Sequence, residues 1–298
     1  MTPTATPPDT ANLTATRRTT IARKSLPVTI IEPTGRGISL FAALAEYAEY
    51  SALLRYLTLR DLRLRFQSPL LGLVWVTLMP LLPAAIFATI FARILQPSTG
   101  GVPYSLYALA GFVPWTFFST SVSTASMTFV WNANLLNKVY FPRAVLPASA
   151  MLASSAELLA GLVLVCGYSI WRGYPPMLSW LWLPVLALYV ALIAFLVSLG
   201  LATANALNRN VKFAIPFLMQ IWIYATPVVY PISIVAPRTR FILALNPLTG
   251  ALDAFRAALL GTRMDPTLFL ISLAATGVFA IAAIGVFRRY EALLAERV

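Results

Sequence analysis

The chain has 298 residues, of which 59% are hydrophobic and only 11% charged, with a mean hydropathy of +0.78 and a formal net charge of +12. That balance excludes an ordinary soluble domain and implies the bilayer as solvent. With one cysteine, Cys166, and no histidine, neither a disulfide framework nor a Cys/His metal site can be built.

Residues 1–37 are rich in Thr and Pro, carry Arg17, Arg18, Arg23 and Lys24, and hold no apolar core long enough for a signal peptide. They are expected to form a disordered, uncleaved tail. In the next unit, 38–67, Leu40, Phe41, Leu44 and Tyr47 fall on one helical face with Glu46 and Glu49 on another, which predicts an amphipathic interfacial helix. Its second half is different: Arg60, Asp61, Arg63 and Arg65 go right round a helical wheel. A helix of that kind suits a grip by protein, by lipid headgroups, or by both.

A spanning helix needs about 20 mostly apolar residues. Between successive charges, 66–92, 94–137, 173–208 and 213–237 are long enough, 266–287 just qualifies, and 144–171 is interrupted only by Glu157. Six spans are predicted within 68–298, near 71–92, 104–127, 146–170, 180–204, 212–230 and 266–287, so the fold class expected is an all-α membrane protein. The segment 231–265 is too apolar for a solvated loop and too broken at Asn246-Pro247 to span, which predicts re-entrant or surface-lying short helices. No internal repeat is visible, so a two-fold transporter would need a second copy of the chain.

Charge orients these spans. With the N-terminus inside, the cytoplasmic segments hold sixteen of the 22 basic residues, among them Lys138, Arg143, Arg209, Lys212, Arg288, Arg289 and Arg297. The outer segments hold six: Arg93, Arg172, Arg238, Arg240, Arg256 and Arg263. Basic residues gather on the cytoplasmic side of membrane proteins, so both termini are expected inside, and the net charge needs no nucleic acid to explain it.

Several chemistries lack their groups. A phosphate-cradling loop of the P-loop type ends in Gly-Lys, whereas Lys24, Lys138 and Lys212 follow Arg23, Asn137 and Val211. Asp9, Asp61, Asp253 and Asp265 stand alone, and no two acids lie closer than Glu46 and Glu49, so a carboxylate cluster for a divalent ion is not expected and no metal site is assigned. Glu157 is the one acid inside a span, and pairing with a neighbouring helix is its simplest role.

Three constellations remain. The run from Leu57 through Arg60, Asp61, Arg63, Arg65, Ser68-Pro69 and Gly72 to Trp75 places arginines just before a span that contains Pro80 and Pro83. It reads as simple anchoring or as a cationic seat for a phosphorylated substrate, since guanidinium pairs bidentately with phosphate. The run Asn132 to Pro147, with Asn137, Lys138, Tyr140, Phe141, Pro142 and Arg143, lies on lipid or docks a protein, because Tyr, Phe and Arg are enriched at binding hot spots. Aromatic residues recur inside the spans at Trp75, Phe87, Phe91, Trp115, Phe117, Phe118, Trp222, Tyr224 and Tyr230. Each suits an interfacial belt; together they would offer ring faces to a sugar path.

The first two runs, with Tyr224-Ala-Thr-Pro-Val-Val-Tyr230-Pro231 and Leu245-Asn246-Pro247-Leu248, together resemble the ABC-2-type permeases that export lipid-linked polysaccharides such as O-antigen, capsule, teichoic acid and galactan. The resemblance spans about 50 to 290, in the expected order. It implies a homodimer of six-helix subunits in the bacterial inner (plasma) membrane, each docked on a cytoplasmic ABC ATPase subunit. ATP and Mg would then belong to two copies of that partner, with no cofactor in this chain. It further makes 55–68 a gate near the lipid pyrophosphate, with Arg55, Arg60, Asp61, Arg63 and Arg65. Residues 132–143 become the main coupling helix, 205–212 with Arg209 and Lys212 a second cytoplasmic contact, and 231–262 the outer gate helices. The long Thr/Pro tail departs from the family's pattern and receives no role. Two other classes stay open on the residues alone: an ion-coupled flippase of lipid-linked sugars resting on Glu157, and a membrane sugar transferase.

Overall fold

The computed structural model describes residues 49–66, 69–95, 99–139, 141–291 and 293. The Thr/Pro tail, the first half of the interfacial helix with Leu40, Phe41, Leu44 and Tyr47, and Tyr140 lie outside the described residues. Within them every regular element is helical: α1 (Ser51–Arg65), α2 (Pro69–Leu95), α3 (Tyr104–Ala125), the short α4 (Thr128–Trp131) and α5 (Ala133–Lys138), then α6 (Val145–Trp171). A 3-10 turn (Leu178–Trp182) leads into α7 (Leu183–Leu207), followed by α8 (Val211–Ala225), a second 3-10 turn (Ile232–Ile234), α9 (Pro237–Ala244), α10 (Pro247–Leu260) and α11 (Pro266–Tyr290).

Local chemistry sets the later boundaries. Proline stands in the first turn of α7, α9, α10 and α11, where its missing N–H costs nothing. The Asn246 side chain caps α10 by accepting from the Leu248 N–H, and Asp265 caps α11 by accepting from the Thr267 and Leu268 N–H groups. Gly261, at φ 69°, ends α10 in the left-handed conformation that glycine adopts without penalty.

Four stretches are long and apolar enough to cross a membrane: Val74–Phe91 in α2, Val145–Trp171, Leu178–Leu207 and Pro266–Tyr290. The other two predicted spans fall on helices of a different character. Residues 104–127 coincide with α3, whose Tyr, Ser, Thr and Gly dilute its hydropathy and whose neighbours cover it from Tyr104 to Ala125. Residues 212–230 are cut back to α8, which stops at Ala225. The stop follows from Pro227: Thr226, the residue before it, is extended at φ −113° and ψ 137°, as a following proline demands.

Helix α3 is the pillar, packing against α2, α6, α7, α8 and α10. Helix α7 connects the two ends of the bundle. At its start, Ser179 donates to the Ala258 carbonyl (2.7 Å) and Trp180 Nε1 to the Leu259 carbonyl (2.9 Å), fixing it to α10. At its finish, Leu199, Ala202 and Ala206 join a separate apolar cluster with Leu57, Phe129, Leu136, Phe141, Leu146 and Phe287. One end therefore carries α1, α4 and α5, and the other carries α9 and α10.

Small residues let the helices close up. A Cβ on Gly161 would lie 2.8 Å from Val113 Cγ1, and one on Gly250 would lie 2.7 Å from Ser272 Cβ and 3.0 Å from Phe269 Cα. Gly250→Ala is therefore expected to overpack the α10–α11 contact and destabilise the protein by about 1–3 kcal/mol. Gly277→Ala, where nothing lies within 4 Å, leaves stability unchanged or slightly raised. Thermal unfolding of the two detergent-solubilised variants beside the parent checks the contrast.

Candidate functional site

Two polar constellations stand out, one at each end of the bundle, and each joins two of the sequence runs singled out above. At the first end, α1 carries four arginines. Arg60 donates from Nε and Nη2 to Asp61 Oδ1 (2.9 and 2.8 Å), and Nη2 also reaches Asn132 Oδ1 at 3.1 Å. Asn132 sits at the junction of α4 and α5 and donates from Nδ2 to the Thr128 carbonyl (2.9 Å). The Arg-Asp run and the Asn-Lys run are thus in direct contact.

Arg65, the last residue of α1, meets the core. Its Nη1 donates to Glu157 Oε1 at 2.7 Å and to Ser154 Oγ at 3.1 Å, and its Nη2 donates to Thr124 Oγ1 at 3.2 Å. Glu157 lies twelve residues into α6, about 18 Å along the helix at roughly 1.5 Å per residue, so α1 delivers a cation deep into the bundle. The Glu157 side chain is 7% exposed and that of Arg65 21%. Glu157 has the neighbouring-helix partner that its sequence setting suggests. Arg55 and Arg63 are exposed, and Arg55 borders an apolar groove of about 330 Å³ between α1 and α6, lined also by Leu54, Thr58, Leu59 and Leu152.

The run Asn132 to Pro147 splits between surface and core. Asn137, Lys138 and Val139 are exposed at the tip of α5, and Arg209 and Lys212 are exposed in the connection between α7 and α8 and its first turn. Phe141, expected to face a partner, is instead 4% exposed and packs in the cluster with Leu57 and Phe287. It anchors the connection, because an aromatic ring beside an apolar cluster is more stable inside it than on a surface. Pro142 and Arg143 are half-buried, and Arg143 Nη1 is buried without a hydrogen-bond partner among the described residues.

At the opposite end the Tyr224–Pro231 run meets Asn246 and α10. Pro227 and Pro231 interrupt the helix, so the carbonyls of 225–229 need partners from elsewhere. Asn246 Nδ2 donates to the Ala225 carbonyl (3.2 Å) and to Thr226 Oγ1 (2.7 Å), while its Oδ1 accepts from Trp222 Nε1 (3.2 Å). Tyr104 Oη donates to the Val229 carbonyl at 2.5 Å. Arg256, 2% exposed, donates to the carbonyls of Pro227 (2.6 Å), Val228 (2.5 Å) and Tyr107 (3.3 Å), and to Tyr107 Oη (3.1 Å). Its guanidinium also lies over the Tyr107 ring, 3.9 Å from the centroid.

Gly111 makes room for this arginine: a Cβ there would collide with the guanidinium and sit 2.7 Å from the Val228 carbonyl oxygen. Asp253, one turn earlier in α10, accepts instead from the Asp265 N–H (3.1 Å). Burial pushes its carboxyl above the usual range, against the opposing pull of that hydrogen bond and of Arg256. Sequence reasoning counted Arg256 only as one of six outer cations. Its one visible signal was its position as the sole basic residue inside the apolar run Leu248 to Leu260.

The aromatic set divides as well. Trp75 and Tyr224 are exposed, while Phe87, Phe91, Trp222 and Tyr230 are half-buried. Phe87 and Phe91 stack on each other with centroids 5.6 Å apart. Trp115, Phe117 and Phe118 lie in the chain's own core, with Phe118 edge-on to Trp222. Phe117 and Phe118 therefore present no ring face on the chain's surface, contrary to expectation, because α3 is enclosed by other helices on every side.

Against known families, the ABC-2 type transporter family matches residues 52–260. Relatives of similar length include an O-antigen export system permease protein RfbA from Klebsiella pneumoniae, 25% identical over 245 residues, which are 82% of this chain and 94% of that one. A protein of the same name from Myxococcus xanthus is 28% identical over 256 residues, 85% of this chain and 98% of that one.

The Arg256 cluster has a direct test. Hydrogen bonds to a charged group contribute about 1.5–3 kcal/mol each, and losing the donor leaves buried carbonyls unpaired. Arg256→Ala is expected to lower the unfolding temperature and to let a maleimide reach a cysteine placed at Val229 in a Cys166→Ala background. With Arg256 intact, Val229 is 6% exposed and that cysteine stays unlabelled.

Proposed function

The chain belongs to the ABC-2 type transporter family, and on that footing we propose that it is the membrane permease subunit of an ATP-driven exporter of lipid-linked polysaccharide. It is a multi-pass protein of the inner membrane and a transporter subunit rather than an enzyme. Relatives named as O-antigen export permeases match it over nearly their whole length, which supports a polyprenyl-pyrophosphate glycan as cargo, with O-antigen, teichoic acid or galactan as members of that class.

The single observation that carries the mechanism is the Arg60–Asn132 contact. It links the exposed tip of α5 to α1, the helix that brings arginines to the bundle. The energy source is a separate ABC ATPase, since no Gly-Lys loop exists in this sequence. In this reading the ATPase docks on Asn137, Lys138, Arg209 and Lys212. ATP-driven closure of two ATPase copies moves α5, and Asn132 passes the displacement to Arg60 and α1. Two permease copies then part along a path between them, and the glycan leaves toward the outer side.

Six crossings suit this scheme, with α3 and α8 joining the four long apolar helices. The distribution of basic residues supports an α1 end in the cytoplasm with both chain termini, and an outer position for α9 and α10 as a re-entrant pair. Short helices at membrane depth are tolerated where protein covers them, and α10 is covered along nearly its whole length. The low burial of α2 and α11 leaves apolar faces for lipid and for the second copy. The ion-coupled alternative loses its main support, because the Glu157 carboxylate is already engaged with Arg65.

Export is tested in proteoliposomes holding the chain with its ATPase: a lipid-linked glycan should cross only with ATP, and the permease alone should move none. Asn132→Ala and Arg60→Ala should each reduce glycan exported per ATP hydrolysed by about tenfold, the factor corresponding to one charge-assisted hydrogen bond, while ATP hydrolysis continues. Export by the permease without its partner would reject the scheme.

A further inference from the structure

Glu157 has one oxygen on Arg65 and the other, Oε2, buried without a hydrogen-bond partner among the described residues. Arg65 is similarly unfinished. Its side chain is 21% exposed, and its Nε makes no hydrogen bond among the described residues. A buried ion pair is strongly stabilised only when its remaining lone pairs and protons are also satisfied, and here neither partner meets that condition. The guanidinium therefore retains capacity for a better anion, and a phosphate, with more charge and three oxygens, binds it bidentately where one carboxylate oxygen does not.

The packing of α1 shows what such an exchange would release. The first half of the helix is pinned by Leu57, 1% exposed within an apolar cluster that Leu53 and Leu54 also touch. Beyond it, Leu59, Arg63 and Leu64 are exposed. Beside the half-buried Leu62 and Phe66, polar contacts tie this last stretch to the bundle: Arg60 to Asn132, and Arg65 to Thr124, Ser154 and Glu157. Freeing Arg65 would leave the Arg60–Asn132 contact as the polar tie of this stretch, with the end of α1 free to swing beyond it.

We infer that Glu157 is the resident counter-ion of Arg65, a positioning residue that holds the end of α1 against α3 and α6 until the pyrophosphate of the lipid-linked substrate takes Arg65 over. This rests on the proposed export function and specifies how the substrate itself unlocks the gate. Glycan length and sugar identity play no part in the exchange, so the trigger is common to any cargo carried on the same lipid pyrophosphate.

Hydrogen exchange of residues 58–66 in the reconstituted complex with its ATPase reads the exchange of partners. Vesicles containing a polyprenyl pyrophosphate should speed exchange there roughly tenfold, the factor set by one lost charge-assisted hydrogen bond. Vesicles of phosphatidylglycerol alone, or inorganic pyrophosphate in solution, should not. Glu157→Gln should exchange fast without the lipid and gain little from it. The double exchange Arg65→Glu with Glu157→Arg should restore slow exchange but abolish the response, because the cation no longer sits on α1. A response equal in phosphatidylglycerol, or a lipid response that survives the double exchange, overturns the latch. Glycan export by the parent complex is scored separately, so a complex that exports while 58–66 ignore the lipid removes the latch and leaves the export function standing.

Discussion

An arginine buried to 2% exposure, with backbone carbonyls rather than a carboxylate for partners, ties together the elements on which one end of this molecule depends. Pro227 and Pro231 make the chain leave α8 early, and in an apolar medium the carbonyls that this exposes have no water to turn to. Arg256 from α10 and Tyr104 from α3 supply the donors, while Asn246 serves the same segment and caps α10 at once. The break in α8 and the presence of short helices beyond it are therefore one feature. A continuous α8 would leave the guanidinium with Tyr107 alone as acceptor, and without the guanidinium the broken segment would leave its carbonyls unpaired.

The opposite end is built on another principle. Arg60 and Arg65 there are paired with acids or an amide and remain partly exposed, in contrast to the sealed Arg256. The α9–α10 end is thus rigid by hydrogen-bond saturation, and the α1 end is held by contacts that can be exchanged. Helix α3 spans the distance between them, touching Arg256 through Tyr107 and Gly111 and touching Arg65 through Thr124. A displacement at one end reaches the other through a helix that is enclosed and proline-containing but otherwise unbroken.

How much of this was legible in the sequence depends on what each feature leaves behind in residue type. Long apolar helices such as α2, α6, α7 and α11 are written in the spacing of charges, and they appear where charge spacing places them. The shortening of α8 was visible in Pro227 but outweighed by apolar residues up to Tyr230. The burial of Phe141 was not readable, because a ring beside Lys138 and Arg143 looks the same whether it turns outward or into a cluster assembled from α1, α4, α5, α6, α7 and α11. Phe117 and Phe118 illustrate the corresponding ambiguity inside a bilayer, where core and lipid-facing surfaces are equally apolar. Arg256 was hidden for a further reason: carbonyl acceptors belong to every residue and give no sequence signature.

The paired arginines also bear on whether α1 serves for anchoring alone. Had α1 needed only to hold to the headgroup region, exposed cations such as Arg55 and Arg63 would suffice, since long basic side chains extend to the interface while their stems cover apolar surface. Arg60 and Arg65 do something else. Each is directed at a group on another element, one at the junction leading to the exposed α5 tip and the other at an acid well inside α6. Carrying a charge that deep is unfavourable unless it is met by an opposite one, and Glu157 meets it with a single oxygen. Helix α1 thus touches both the junction of α4 with α5 and the polar interior along α6.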